Sequence, residues 1–198
     1  MEKAEKLMLR RIVGNFCVVV RTDGIIEAKQ MSEVDDIFNE SKKIIGCRFL
    51  DHFVLQNISP SCKIECLVND EGYFAWQDDP TKVNQIATFF YNGGDKPGHY
   101  VLGDAVFCLS VYKEEDGWDF VGMVERLAKN LSEYLSTEIL SKAKENCPIP
   151  AAIPDPFVKV SSYDSYEDMM KVIQGDKSLK PSSETIISGK EPNAEKKD

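Results

Sequence analysis

Five apolar residues follow one another at Phe16-Cys-Val-Val-Val20, a short β-branched run that predicts a buried strand. Thr22-Asp-Gly24 is a turn signal, and Ile25 to Lys29 reads as a short return strand. From Ser32 the period changes. Val34, Ile37, Phe38, Ser41, Ile44 and Ile45 recur at helical spacing, with Ser32 and Asp35 arranged like a capping box and Gly46 as the terminator. Arg48 to Ile58 is rich in Phe, Val, Leu and Ile and predicts a strand, broken by Ser59-Pro-Ser61. Cys62, Ile64, Cys66 and Val68 then alternate with Lys63, Glu65, Leu67 and Asn69, mostly the period of a half-buried antiparallel strand. Asn69-Asp-Glu-Gly72 reads as a turn and Tyr73 to Trp76 as the returning arm of a hairpin. Lys82 to Phe90 fits a helix or a strand.

Asn92 to Gly98 is a loop by composition, and Val101 to Tyr112 predicts a further strand with a break near Gly103-Asp104. Glu114 to Gly117 is an acidic turn. The longest helical stripe runs through Trp118, Val121, Val124, Leu127, Ala128, Leu131, Tyr134, Leu135 and Ile139. Pro148, Pro150, Pro154 and Pro156 end that helix. Tyr166, Met169, Met170 and Ile173 share one face of a short predicted helix, and 176–198 has the composition of a disordered tail. The reading is an α+β protein, a small mainly antiparallel sheet packed against one short and one long helix. Its domain is 1–147, followed by a Pro-rich linker with the short helix over 148–175 and the disordered tail over 176–198.

Composition narrows the function classes. The 198 residues are 42% hydrophobic, enough for one core. No apolar run approaches the roughly 20 residues of a membrane helix, and Phe16 to Val20 is too short for a signal peptide's apolar region, so the expected compartment is the cytoplasm. A net charge of −9, with no basic run longer than Arg10-Arg11 or Lys42-Lys43, argues against a nucleic-acid partner. Six cysteines without a secretory signal read as free thiols, and Cys17, Cys62, Cys66 and Cys108 sit inside apolar segments.

Local motifs for chemistry are weak. Cys62 and Cys66 on one strand stand about 13 Å apart, too far to share a zinc ion, and only His52 and His99 are available as partners. No metal or cofactor is expected. A Cys–His nucleophile pair needs an accessible thiolate, which buried cysteines do not supply. Gly93-Gly94 and Gly98 match neither phosphate-binding fingerprint. The acidic pairs lie at element ends, where solvation explains them. Asp104, between Gly103 and Ala105 in an apolar stretch, comes closest to a functional carboxylate.

Three ordered segments carry a resemblance: Glu33 to Gly46, Val68-Asn-Asp-Glu-Gly-Tyr-Phe74, and Asn84-Gln-Ile-Ala-Thr88 followed by Gly103-Asp-Ala-Val106. Together they resemble the bacterial and phage domain-of-unknown-function family 3846 over about residues 16 to 112. Gln77-Asp-Asp-Pro-Thr81 stands where that family carries a Leu-Pro-Pro-Asn type linker, and the segment after Gly117 lies outside its core. The resemblance implies a small α+β fold and an intracellular, often mobile-element, setting, with no activity attached. For Asn84 and Asp104 the residues themselves suggest structural roles, a buried amide bonding backbone and a tight bend.

The function expected from these observations is non-catalytic binding of a protein partner through the amphipathic segments Trp118 to Ile139 and Tyr166 to Ile173. One alternative is an acidic anti-defence decoy. Another is a small-ligand binder or enzyme built on the 92–104 loop with Asn84, His99 and Asp104 as its site.

Overall fold

A computed structural model describes residues 3–32, 36–115, 117–153, 157–162 and 183–188; for 3–6, 157–162 and 183–188 it gives the backbone path alone. The chain divides into two units, Met1–Ile153 and Pro154–Asp198.

The first unit is built on six strands: β1 (Val13–Val20), β2 (Ile26–Gln30), β3 (Leu50–Ser59), β4 (Cys62–Asn69), β5 (Ala105–Lys113) and β6 (Gly117–Val121). Their order is β2-β1-β5-β4-β3, with β6 also on β5, and every pairing is antiparallel. The helices are α1 (Lys3–Ile12), α2 (Ile37–Ile45), α3 (Gly72–Trp76), α4 (Gln85–Tyr91), α5 (Glu125–Tyr134) and α6 (Leu140–Asn146), the last two joined by one π-helical stretch, Leu135–Ile139. The fold is α+β, as the patterning predicts.

Strand alternation sorts the core into two faces. Val18, Val20, Ile64, Cys66, Phe107 and Leu109 point to one side, where Ile86 and Ala87 of α4 and Ala128, Leu135, Ile139 and Ala143 of the C-terminal helical run cover them. Cys17, Val19, Leu67, Val106 and Cys108 point to the other, against Met31 and the α2 residues Ile37 and Ile45. Helices thus lie on both faces of the sheet. Cys17, Cys62, Cys66 and Cys108 are buried and all six cysteines are free, so the thiols do act as small core hydrophobes.

Three expectations need correction. Tyr73 to Trp76 is helical, because β4 already pairs with β3 on one edge and β5 on the other and has no edge left for a returning arm. Trp118 to Val121 belongs to β6, with Tyr112 opposite Trp118, so the long helix starts only at Glu125; the three-and-four spacing of Trp118 and Val121 with the helix proper is coincidental. α2 begins at Ile37 with Asp36 ahead of it, and the Ser32 N–H donates to the Glu40 carboxylate at 2.8 Å, so Ser32 is no N-cap. Its predicted partner Asp35, with Glu33 and Val34, lies outside the described residues. Gly46 does end α2, in the left-handed conformation with φ +73°. The open segment 82–90 resolves as helix: after the 3-10 turn Pro80–Lys82, α4 starts at Gln85 behind its cap Asn84. α1 is a further element for which the sequence pattern carries no expectation.

In the second unit, β7 (Phe157–Ser162) pairs antiparallel with β8 (Ser183–Ser188). The latter falls within the segment read as a disordered tail. Its β-branched run Thr185-Ile-Ile187 is averaged away when 176–198 is taken as one composition. The remainder of that tail, and Tyr166, Met169, Met170 and Ile173, lie outside the described residues. No helix among the described residues is long and apolar enough to cross a membrane.

Candidate ligand-binding cleft

The carboxyl end of β1 is where three distant segments meet. The apolar run that buries Val20 ends at Arg21, the first polar side chain after the strand. There the chain turns back, with the Arg21 N–H donating to Ile25 O at 2.8 Å and the Gly24 N–H to Arg21 O at 3.1 Å. Beside this turn run the Pro80–Lys82 turn and the start of α4, which Asn84 caps by accepting the Ala87 N–H at 3.1 Å. The other half of the Asn84 side chain donates to Val20 O at 3.0 Å and Gly103 O at 3.1 Å. One buried amide therefore ties the end of β1, the start of α4 and the bend before β5 together. Gly103 allows that bend: its φ is +94°, and a Cβ there would lie 2.5 Å from the Trp76 ring.

Asp104 follows the bend and clamps the β1–β2 turn. Its carboxylate accepts from Arg21 Nη1 at 2.8 Å and from the Thr22 N–H at 3.1 Å. Arg21 Nη2 also reaches Glu27 at 3.3 Å. The hydrogen bond to Asp104 raises the pKa of the guanidinium above its ordinary value, so the arginine is a fixed cation.

Between these segments and α6 opens a cleft of about 590 Å³, within the size range of small-molecule sites. Val20, Ile86, Leu140 and Ile149 give it apolar walls. Arg21, Lys82 and Lys144 bring positive charge, and Asp23 one carboxylate that accepts the Ile25 N–H within its own turn. Asn84 also lines the cleft.

Of the three residues singled out in the sequence, the structure brings two together. Asn84 and Asp104 meet through Gly103 and Arg21. His99 is elsewhere: its ring stands edge-on to Tyr91 with centroids 6.5 Å apart, and its N–H and carbonyl bond the Asn92 side chain. The 92–104 loop is therefore not one site, because Asn92 organises its first half as a closed turn and Asp104 serves the other end. Arg21, Lys82, Leu140 and Lys144 were not legible as site residues, since they come from segments up to 123 positions apart (21 to 144) with no local motif. The one available signal was Arg21 itself, a charge placed directly after a buried strand.

On the other face of the sheet, Glu65 is buried, at 3% exposure, and its carboxylate lies 2.6 Å from Nδ1 of the half-exposed His52. The Phe120 ring stands edge-on to that imidazole at 5.2 Å. His52 is thus a partnered polar residue. The nearby thiols are poor nucleophiles: burial raises Cys17 to about 12 and pushes Cys66 and Cys108 well above the ordinary thiol value. Among the described residues no three metal-ligating side chains cluster.

Compared with known proteins, the chain matches no family model, no curated protein and no solved structure.

Proposed function

We propose that this is a non-catalytic binding protein whose ligand occupies the cleft at the end of β1. The observation that carries the reading is the cleft itself, with apolar and charged residues in one lining, framed by side chains already committed to holding its segments together. Asn84 uses both ends of its amide on backbone, and Asp104 spends its carboxylate on Arg21 and Thr22. Such groups preorganise a site, lowering the ordering cost of binding. The reading moves the ligand site from the 92–104 loop to the β1–β2 turn and α6.

The expected docking of a protein partner through the Trp118 to Ile139 stripe has less apolar surface to rest on, and its second segment, Tyr166 to Ile173, lies outside the described residues. Ala128, Leu135 and Ile139 of that stripe are buried against the sheet. The test is a titration of the full chain with N-phenyl-1-naphthylamine, a neutral fluorophore that brightens in apolar sites. Saturable one-to-one binding is expected, weakened both by Leu140→Trp, which fills the cleft, and by Ile149→Asp, which charges its wall. Absence of saturable binding, or binding indifferent to both substitutions in folded protein, would overturn the proposal.

A further inference from the structure

The charges in the lining say more than that something binds. On a chain of net charge −9, the cleft lining carries three cations and one carboxylate. Arg21 is neutralised by Asp104 and Glu27 and serves as a fixed wall. The other two are not so committed: Lys82 and Lys144 make no ion pair among the described residues. Lys82 lies in the field of Asp79, whose carboxyl it helps lower, after the larger effect of the hydrogen bond from Thr81. Lys144 is exposed on α6, one turn beyond Leu140, so a cation and an apolar lining residue are neighbours on the same helix. Lys82 lines the same cleft from the Pro80–Lys82 turn, two positions before the Asn84 cap.

Resting on the cleft reading above, we infer that the ligand is a small amphipathic anion. Its hydrocarbon body lies against Val20, Ile86, Leu140 and Ile149, and its single oxyanion head sits between Lys82 and Lys144. A bare inorganic anion would leave the apolar walls wet, and a neutral hydrocarbon would leave two lysines without a partner. An amphipathic carboxylate or sulfonate uses both. Asp23 in the same lining disfavours a head of higher charge, because a second negative group would approach its carboxylate.

Two probes with the same aromatic body separate this inference from the reading beneath it: 1-anilinonaphthalene-8-sulfonate, an anion, and N-phenyl-1-naphthylamine, its neutral counterpart. The full chain should bind the sulfonate at least about fivefold more tightly, the effect of two partly exposed charge contacts. That preference should fall with salt and disappear in the Lys82→Met/Lys144→Met double variant, with a melting curve confirming its fold. Lys142→Met, which removes one positive charge from α6 outside the lining, should keep it. Octanoate should displace the sulfonate and inorganic phosphate should not. Equal affinity for the two probes, or a preference that survives the double variant, would overturn the anion inference while leaving the cleft reading intact. Failure of both probes to bind would remove the cleft reading as well. Displacement by inorganic phosphate alone would mean a simple anion site and would contradict the amphipathic ligand.

Discussion

The Arg21 guanidinium donates to the Asp104 carboxylate at 2.8 Å, joining the end of β1 to the start of β5 across 83 positions of sequence. Asp104 also holds the Thr22 N–H, so the same carboxylate fixes a side chain and the backbone of the β1–β2 turn. Replacing it frees the turn that forms one wall of the cleft. Asp104→Ala is expected to lower stability by about 1 kcal/mol, a value kept small because both side chains are partly exposed. It should weaken probe binding by more than the stability change accounts for, since the Arg21 wall loses its position. Thermal melts and probe titrations on the same samples check both.

Asn84 gives a sharper test, because its two ends do different work. Asp caps helices about as well as Asn, so a pure capping role predicts little effect of Asn84→Asp. Here the amide nitrogen also donates to Val20 O and Gly103 O. A carboxylate would face two carbonyl oxygens in a buried position. Asn84→Asp is therefore expected to cost about 3 kcal/mol, and Asn84→Ala a similar amount. Urea denaturation of the two variants decides: a near-neutral Asn84→Asp would show that the cap is all that matters.

How far the sequence foretells this arrangement depends on how local each signal is. β1, β4 and β5 are legible because each is a continuous or alternating apolar run bounded by turn residues. Tyr73 to Trp76 and Trp118 to Val121 are misread because a segment of four residues carries neither period securely, and only the occupied edges of β4 and the open edge of β5 decide between helix and strand. The site is half legible for the same reason. Asn84 and Asp104 stand out as polar residues within apolar segments. Lys82 and Lys144 look like any surface lysine until the fold brings both into the lining of one cleft, and His99 looks functional only because it lies in the same loop as Asp104.

Glu65 and His52 test the opposite face. Among the described residues the buried carboxylate has the imidazole as its side-chain partner. Removing that partner leaves a buried carboxyl group without its hydrogen-bond partner, so His52→Ala is expected to destabilise by about 2 kcal/mol. Removing the carboxyl group as well should restore part of the loss, making Glu65→Leu/His52→Ala more stable than His52→Ala. A double-mutant cycle by chemical denaturation measures the coupling, and additive effects would show that the pair is not a unit.

The buried thiols set a pH dependence. Cys17 is raised by burial from 9.0 to about 12, and Cys66 and Cys108 are raised in the same direction. A folded-state pKa above the unfolded one means the unfolded chain releases its thiol protons first. The stabilisation is whole below about pH 9 and is lost progressively as pH rises through about 12 for Cys17. Denaturation midpoints should accordingly fall between pH 9 and 11. At pH 8 a thiol reagent should label half-buried Cys47 ahead of the five buried cysteines, and all six in denaturant. Rapid labelling of Cys17 in the native chain would contradict its burial.

The most direct measurement is a map of backbone amide shifts in the full ¹⁵N-labelled chain as N-phenyl-1-naphthylamine is added. The cleft account predicts that the largest shifts gather at Thr22, Asp23, Gly24, Thr81, Lys82 and Lys144, which come together only around the cleft. Shifts centred instead on His52, Glu65 and Phe120, or spread without a centre, would contradict it.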